Sequence, residues 1–154
     1  MDLYLLEMIE PLTAFALAGN ILQFVEAGFK VTHILQQLWK GSATDENLEI
    51  ELVKKDMDEI CTRLVSTSTL STAPSKDDEK LRILAQSCQK LSKELDIVLQ
   101  KLVIKTKTHG SRRRLEVLQK ALKSILEMDK IKDLQKRLSA LGEQISVRMI
   151  YILT

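Results

Sequence analysis

Two stretches of this 154-residue chain repeat apolar residues at alternating spacings of three and four, and that rhythm leaves few folds open. Ile50, Val53, Met57, Ile60 and Leu64 make one run; Leu81, Leu84, Cys88, Leu91, Leu95, Val98 and Leu102 make a longer one. Such spacing places every member on one face of an α-helix, whereas a half-buried strand alternates by two. A striped helix must bury its stripe against another element, so several helices have to pack together. The rest of the composition agrees. With five glycines, two prolines and 4% aromatics, the chain lacks the turns and aromatic strands that a sandwich or barrel requires. Its length suits one domain.

Stripes and caps divide the chain into four long blocks. The first is predicted from about Pro11 to Trp39, with Pro11 in the first turn and Gly41 as the C-terminal cap. Residues 1–10 read as an N-terminal extension. The second runs from about Thr44 to Thr67, with Ser42 or Thr44 as its N-cap. The Ser/Thr-rich run from Ser66 to Ser75, and 68–75 above all, reads as a flexible loop. The third spans about Lys76 to Thr106, opened by Ser75, Asp77, Asp78 and Glu79. Cys88 lies on its stripe and reads as core.

The fourth block breaks its own pattern. Leu115, Leu118, Leu122 and Ile125 share a stripe whose continuation would bury Asp129, Lys132 and Lys136. Instead the apolar positions move by one, to Met128, Ile131, Leu134, Leu138, Leu141 and Ile145. A one-residue shift marks a break near Glu127–Lys130, giving helices of about 111–126 and 129–153. The expectation is an all-α antiparallel helical bundle of four long elements, the last one kinked or split into two helices.

The first block differs from the others. Phe15, Ala18, Leu22, Val25 and Phe29 form one apolar stripe, and Ala14, Leu17, Ile21, Phe24, Gly28, Val31, Leu35 and Leu38 form another. Only a narrow polar line remains, from Asn20 through Gln23, Glu26, Lys30, His33 and Gln37 to Lys40. A helix apolar nearly all round is either the centre of a bundle or an element that seeks membrane. Small residues, including Gly19 and Gly28, suit close helix packing in either setting. The membrane-insertion candidates are Leu12, Phe15, Leu17, Gly19, Ile21, Leu22, Phe24, Val25, Gly28 and Phe29. The apolar run from Leu12 to Val25 is 14 residues, short of the ~20 that span a bilayer, and Asp2, Glu7 and Glu10 stand where a secretory leader would be basic. A soluble resting protein is expected.

Charge is unevenly spread. Residues 1–40 carry net −2, residues 41–80 net −5, and residues 81–154 net +9. Lys105, Lys107, Arg112, Arg113 and Arg114 crowd the turn between the third and fourth blocks. They are candidates for binding anionic lipid, a contact worth about 1 kcal/mol per residue near a membrane surface. The other readings are a solvated loop, or acidic and basic helices paired within one bundle. Nucleic acid is disfavoured, because no aromatic residue stands nearby for stacking and no helix-turn-helix or zinc signature occurs.

Enzymatic chemistry has little to stand on. The chain has no glycine-rich phosphate loop, no CxxC, no HExxH and no nucleophile elbow. Cys61, Cys88, His33 and His109 are isolated singles, so neither a metal site nor a disulfide scaffold is expected, and a reducing compartment is. No cofactor is expected.

Four segments in order resemble a known family. They are Pro11-Leu-Thr-Ala-Phe-Ala-Leu-Ala-Gly-Asn-Ile-Leu-Gln-Phe-Val-Glu26; Gly41-Ser-Ala-Thr-Asp-Glu-Asn-Leu-Glu49; Glu79 to Leu95; and Ala121-Leu-Lys-Ser with Lys130-Ile-Lys-Asp-Leu-Gln-Lys-Arg-Leu138. Together they are similar to the HeLo-like N-terminal domain of fungal NOD-like receptors (STAND NTPases), across about residues 11–150. Many members carry a tryptophan where this chain has Ile125 or Leu126. The resemblance implies a helical bundle acting in heterokaryon incompatibility, innate immunity and programmed cell death. It implies homo-oligomers that expose the first helix and permeabilise the membrane, an NTPase receptor domain in cis or trans, and movement from cytoplasm to plasma membrane on activation. The rival expectation is a non-lytic interaction module that regulates the NTPase by helix-in-groove contacts.

Overall fold

The computed structural model describes the backbone of residues 3–44, 49–70, 76–108 and 113–153, and the side chains of 14–44, 49–67, 79–106 and 113–153. Among these residues there are five helices and no strand: α1 (Leu3–Lys40), α2 (Ile50–Leu70), α3 (Lys76–Thr108), α4 (Arg114–Ile125) and α5 (Met128–Leu153).

The stripes are the core. Every member of the Leu81–Leu102 stripe of α3 is buried, as are Ile50, Met57 and Leu64 of α2, with Val53 and Ile60 packed at its edge. The break after α4 falls at Leu126–Glu127, within a residue of the expected place, and both halves of the shifted stripe face inward. The expectation counted the two halves as one interrupted element; here they are separate helices.

Three boundaries differ from expectation. α1 does not start at Pro11 but at Leu3, so residues 3–10 belong to the helix and Pro11 lies inside it. Leucine, methionine and glutamate dominate that segment, and these are good helix formers. They carry the helix past the one hydrogen bond that Pro11 cannot donate. α2 continues to Leu70, so 68–70 are helical and the expected 68–75 loop shrinks to 71–75, which lies outside the described residues. Hydroxyls in its last turns are satisfied within the helix: Thr62, Ser66 and Thr67 donate to the carbonyls of Asp58, Thr62 and Arg63. Ser42 closes α1 and does not open α2; its N–H and hydroxyl both donate to the Gln37 carbonyl. Gly41, at φ +78°, donates to Leu38, which completes a Schellman turn. The Ser75 cap and the His109–Gly110 loop lie outside the described residues.

Cross-contacts set the directions. Asn20 of α1 donates to Thr67 of α2, and farther along α1 Ala27, Lys30 and Val31 line one groove with Val53, Met57 and Ile60. Lys54 pairs with Asp96 of α3, and Thr106 donates to Glu51. Val25 abuts Gly142 of α5, and Gly28 abuts Leu138. Residue numbers rise along one helix as they fall along its neighbour, so α1 runs antiparallel to α2 and α5, and α3 antiparallel to α2. α1 touches all four other helices. Leu17, Ile21, Phe24, Val25, Val31, Leu35 and Leu38 are all buried along it. At about 1.5–3 kcal/mol per side chain, that face holds on the order of 10–20 kcal/mol.

Candidate functional site

The two apolar stripes of α1 are used unequally. The stripe with Leu17, Ile21, Phe24, Gly28, Val31, Leu35 and Leu38 is fully enclosed. The other faces α5 through Val25 and buries Ala18 and Val25. Leu22 is half-buried, and Phe15 and Phe29 stand 45% and 37% exposed at its ends. Five of the ten insertion candidates, Leu17, Ile21, Phe24, Val25 and Gly28, are therefore enclosed in the bundle. Leu12 lies on the helix, but its side chain is outside the described residues. His33 and the remaining polar line run along the surface; Asn20 alone is drawn into a bond across to α2.

The glycines play different parts. A Cβ on Gly28 would lie 2.6 Å from Leu138 Cδ2, so here two helices come close because a side chain is missing. A Cβ on Gly19 would meet open space. The small-residue pattern is thus a packing device at Gly28 and not at Gly19.

The basic cluster is at the other end of the bundle. Lys105 near the end of α3 and Arg113 just before α4 are exposed, and Arg114 is half-buried. Lys107 is on α3 with its side chain outside the described residues, and Arg112 lies outside them altogether. Thr106 is level with Glu51 of α2, and Asn20 is level with Thr67. Those two α2 positions are 16 residues apart, which at 1.5 Å per residue is about 24 Å. The structure therefore does not bring Phe15 and the start of α1 together with the basic residues.

Exposed apolar residues share the end with Phe15, beside Lys80, Glu143 and Arg148, whose guanidinium lies 5.3 Å from the Tyr151 ring centroid, and sequence reasoning missed them. Val147, Ile150, Tyr151 and Leu153 of α5 are 48–71% exposed, and Ile83 of α3 is 54% exposed. The signal was available: Met149 to Leu153 is five apolar residues in a row, which at 100° per residue go right round the helix, so one buried face cannot hold them all. The contact between Val25 and Gly142 places Leu153 level with Ala14. From Thr13 back to Leu3 the backbone of α1 therefore continues past the end of α5, by about 16 Å.

At the opposite end of α1, Trp39 ties three elements together. Its indole Nε1 donates to the Leu126 carbonyl at 3.2 Å, Gln119 Nε2 donates to the Trp39 carbonyl at 3.2 Å, and Lys123 Nζ sits 4.8 Å from the ring centroid.

Ionisable groups serve the packing. Lys54, between Asp58 at 2.8 Å and Asp96 at 3.2 Å, has its pKa raised above the ordinary lysine value, chiefly by the hydrogen bond to Asp58. Glu94 of α3 holds Lys130 and Arg137 of α5. Burial pushes the Cys88 thiol up to about 12 and also raises Cys61, where a hydrogen bond with Ser92 opposes it. Neither is a poised nucleophile, because the thiolate is the reactive form. Among the described residues no group of His, Cys, Asp and Glu could hold a metal ion, and no helix is long and apolar enough to cross a membrane. No protein-family model, curated protein or solved structure matches the chain.

Proposed function

We propose that the chain is a HeLo-like effector domain of a fungal NOD-like receptor, which permeabilises membranes when several copies are gathered. In this reading the five helices are four bundle elements, the last interrupted at Leu126–Glu127. The carrying observation is the unfinished apolar end. Phe15, Val147, Ile150, Tyr151 and Leu153 are exposed there, and α1 runs on beyond α5. An exposed apolar surface of this kind marks an interaction or membrane site. The end engages bilayer first, without disturbing the core.

Deeper insertion requires α1 to leave the bundle. That step loses the on the order of 10–20 kcal/mol held by its buried face, unless lipid or neighbouring copies rebury it. Gathering copies supplies both the reburial and the avidity. Lys105, Lys107 and Arg112–Arg114, at the far end, bind anionic headgroups only if the bundle lies along the membrane or opens. Movement to the plasma membrane on activation follows from this scheme. The enclosure of the face from Leu17 to Leu38 favours a second reading, a non-lytic interaction module in which α1 is only core.

Dye release from anionic vesicles by forced oligomers separates the two. Leakage is expected from the wild type and from Leu52→Glu, which changes an exposed residue of α2. It should be lost in Phe15→Glu while that variant keeps its thermal stability. No leakage from the wild type, or full leakage from Phe15→Glu, would leave the interaction module.

A further inference from the structure

We propose that the α4–α5 break is a hinge held bent by Trp39, and that α4 and α5 join into one continuous helix when the end of α1 withdraws. The local sequence does not demand a break. Ile125-Leu-Glu-Met-Asp-Lys130 contains neither glycine nor proline, and leucine, glutamate, methionine and lysine are good helix formers. Kinks ordinarily have a local cause of that kind. Yet Leu126 is extended, at φ −133° and ψ 144°.

The backbone bonds show what replaces helix. In a continuous helix the Leu126 carbonyl would accept from the Lys130 N–H, four residues on. Here Lys130 N–H donates instead to Glu127 at 3.0 Å, and Leu126 accepts from the Trp39 indole. Trp39 thus satisfies the carbonyl that the break deprives of its helical donor, and so stabilises the bent form. Gln119 and Lys123, both on α4, hold Trp39 in place from its carbonyl and its ring face. A Cβ on Gly41 would lie 3.1 Å from Gln119 Nε2, so the turn that ends α1 is also fitted to α4.

The one-residue shift of the stripe is the second restraint. Bent, both Leu118–Leu122 and Ile131–Leu134 face the core. Joined, the two stripes fall out of phase by one residue, about 100° around the helix. Joining therefore becomes favourable only when α1, which both stripes help to enclose, no longer requires them in phase. The hinge is thus a reporter of whether α1 is seated, and it stands whether or not α1 enters a membrane.

Chemical-exchange saturation transfer NMR on Leu126–Asp129 tests this, since it detects sparsely populated states on the millisecond scale. Trp39→Phe keeps an aromatic ring and removes the donor. The expected result is a minor state with helical shifts at 126–129, about tenfold more populated than in the wild type, the ratio one net hydrogen bond commands. Glu127→Pro is the counter-test. Leu126 already has the extended conformation that a following proline demands, while proline at 127 bars a continuous helix. The single variant should melt within a few degrees of wild type, and the double variant should lack the minor state. A drop in melting temperature in Trp39→Phe without helical exchange at 126–129 would overturn the proposal. So would a large loss of stability in Glu127→Pro.

Discussion

Replacing each of two glycines on α1 by alanine should have opposite effects, and the difference measures how tightly α1 is held. In a helix interior glycine is about 1 kcal/mol less favourable than alanine. At Gly19 a Cβ meets nothing within 4 Å. The whole propensity gain is then realised, and Gly19→Ala should stabilise by about 1 kcal/mol. For a domain of this size that is a rise of about 2–4 °C in melting temperature. At Gly28 the same Cβ falls 2.6 Å from Leu138 Cδ2 and 3.1 Å from Cδ1. Leu138 is fully buried, so its methyls have nowhere free to go. Overpacking of this sort costs about 1–3 kcal/mol. After the propensity gain, Gly28→Ala should be neutral to about 2 kcal/mol destabilising. Scanning calorimetry of the two variants should therefore give melting temperatures separated in the predicted order. Equal stabilisation by both would refute the close approach of α1 and α5, and with it the view of α1 as the bundle's central element.

Two further outcomes follow from the ionisable groups. Cys61 and Cys88 should react with a thiol reagent at pH 8 far more slowly in the native protein than after denaturation. Because the folded thiols hold their protons more tightly than the unfolded ones, stability should fall as pH rises above about 9, and continue falling toward the Cys88 value of about 12. Lys54→Met should cost about 0.5–1 kcal/mol at pH 7. The raised lysine contributes fully below its unfolded value of 10.5, and the contribution disappears as pH climbs through the higher folded value. Urea titrations of Lys54→Met and wild type should therefore differ at pH 7, and the difference should shrink as pH rises through the raised folded value.

Helix existence was legible in the sequence because a stripe at spacings of three and four has one structural meaning, and the shift after Ile125 located the break to within a residue. The boundaries were less legible. Pro11 reads as a start, since nothing in the sequence says that Leu3–Glu10 will carry the helix through it. α2 is expected to end near Thr67, because the hydroxyl residues from 68 on read as loop, yet the helix runs on to Leu70. The double stripe of α1 had two physical meanings, centre of a bundle or membrane seeker. Sequence alone cannot separate them, because each requires the same residues. The structure buries the face of α1 that runs from Leu17 to Leu38, as the centre of a bundle requires. Spatial placement of the basic cluster was not legible either: the separation of Lys105 from Phe15 follows from helix direction and register, not from composition.

In the proposed function α1 is a core helix that must leave its seat to act. A tether tests it most directly. A Cβ at Gly142 would lie 3.3 Å from Val25 Cγ1, close enough for a disulfide in Val25→Cys/Gly142→Cys. Forced oligomers of this variant should leave anionic vesicles intact while oxidised and release dye once reduced. Equal dye release in both redox states, or none in either, would contradict the account.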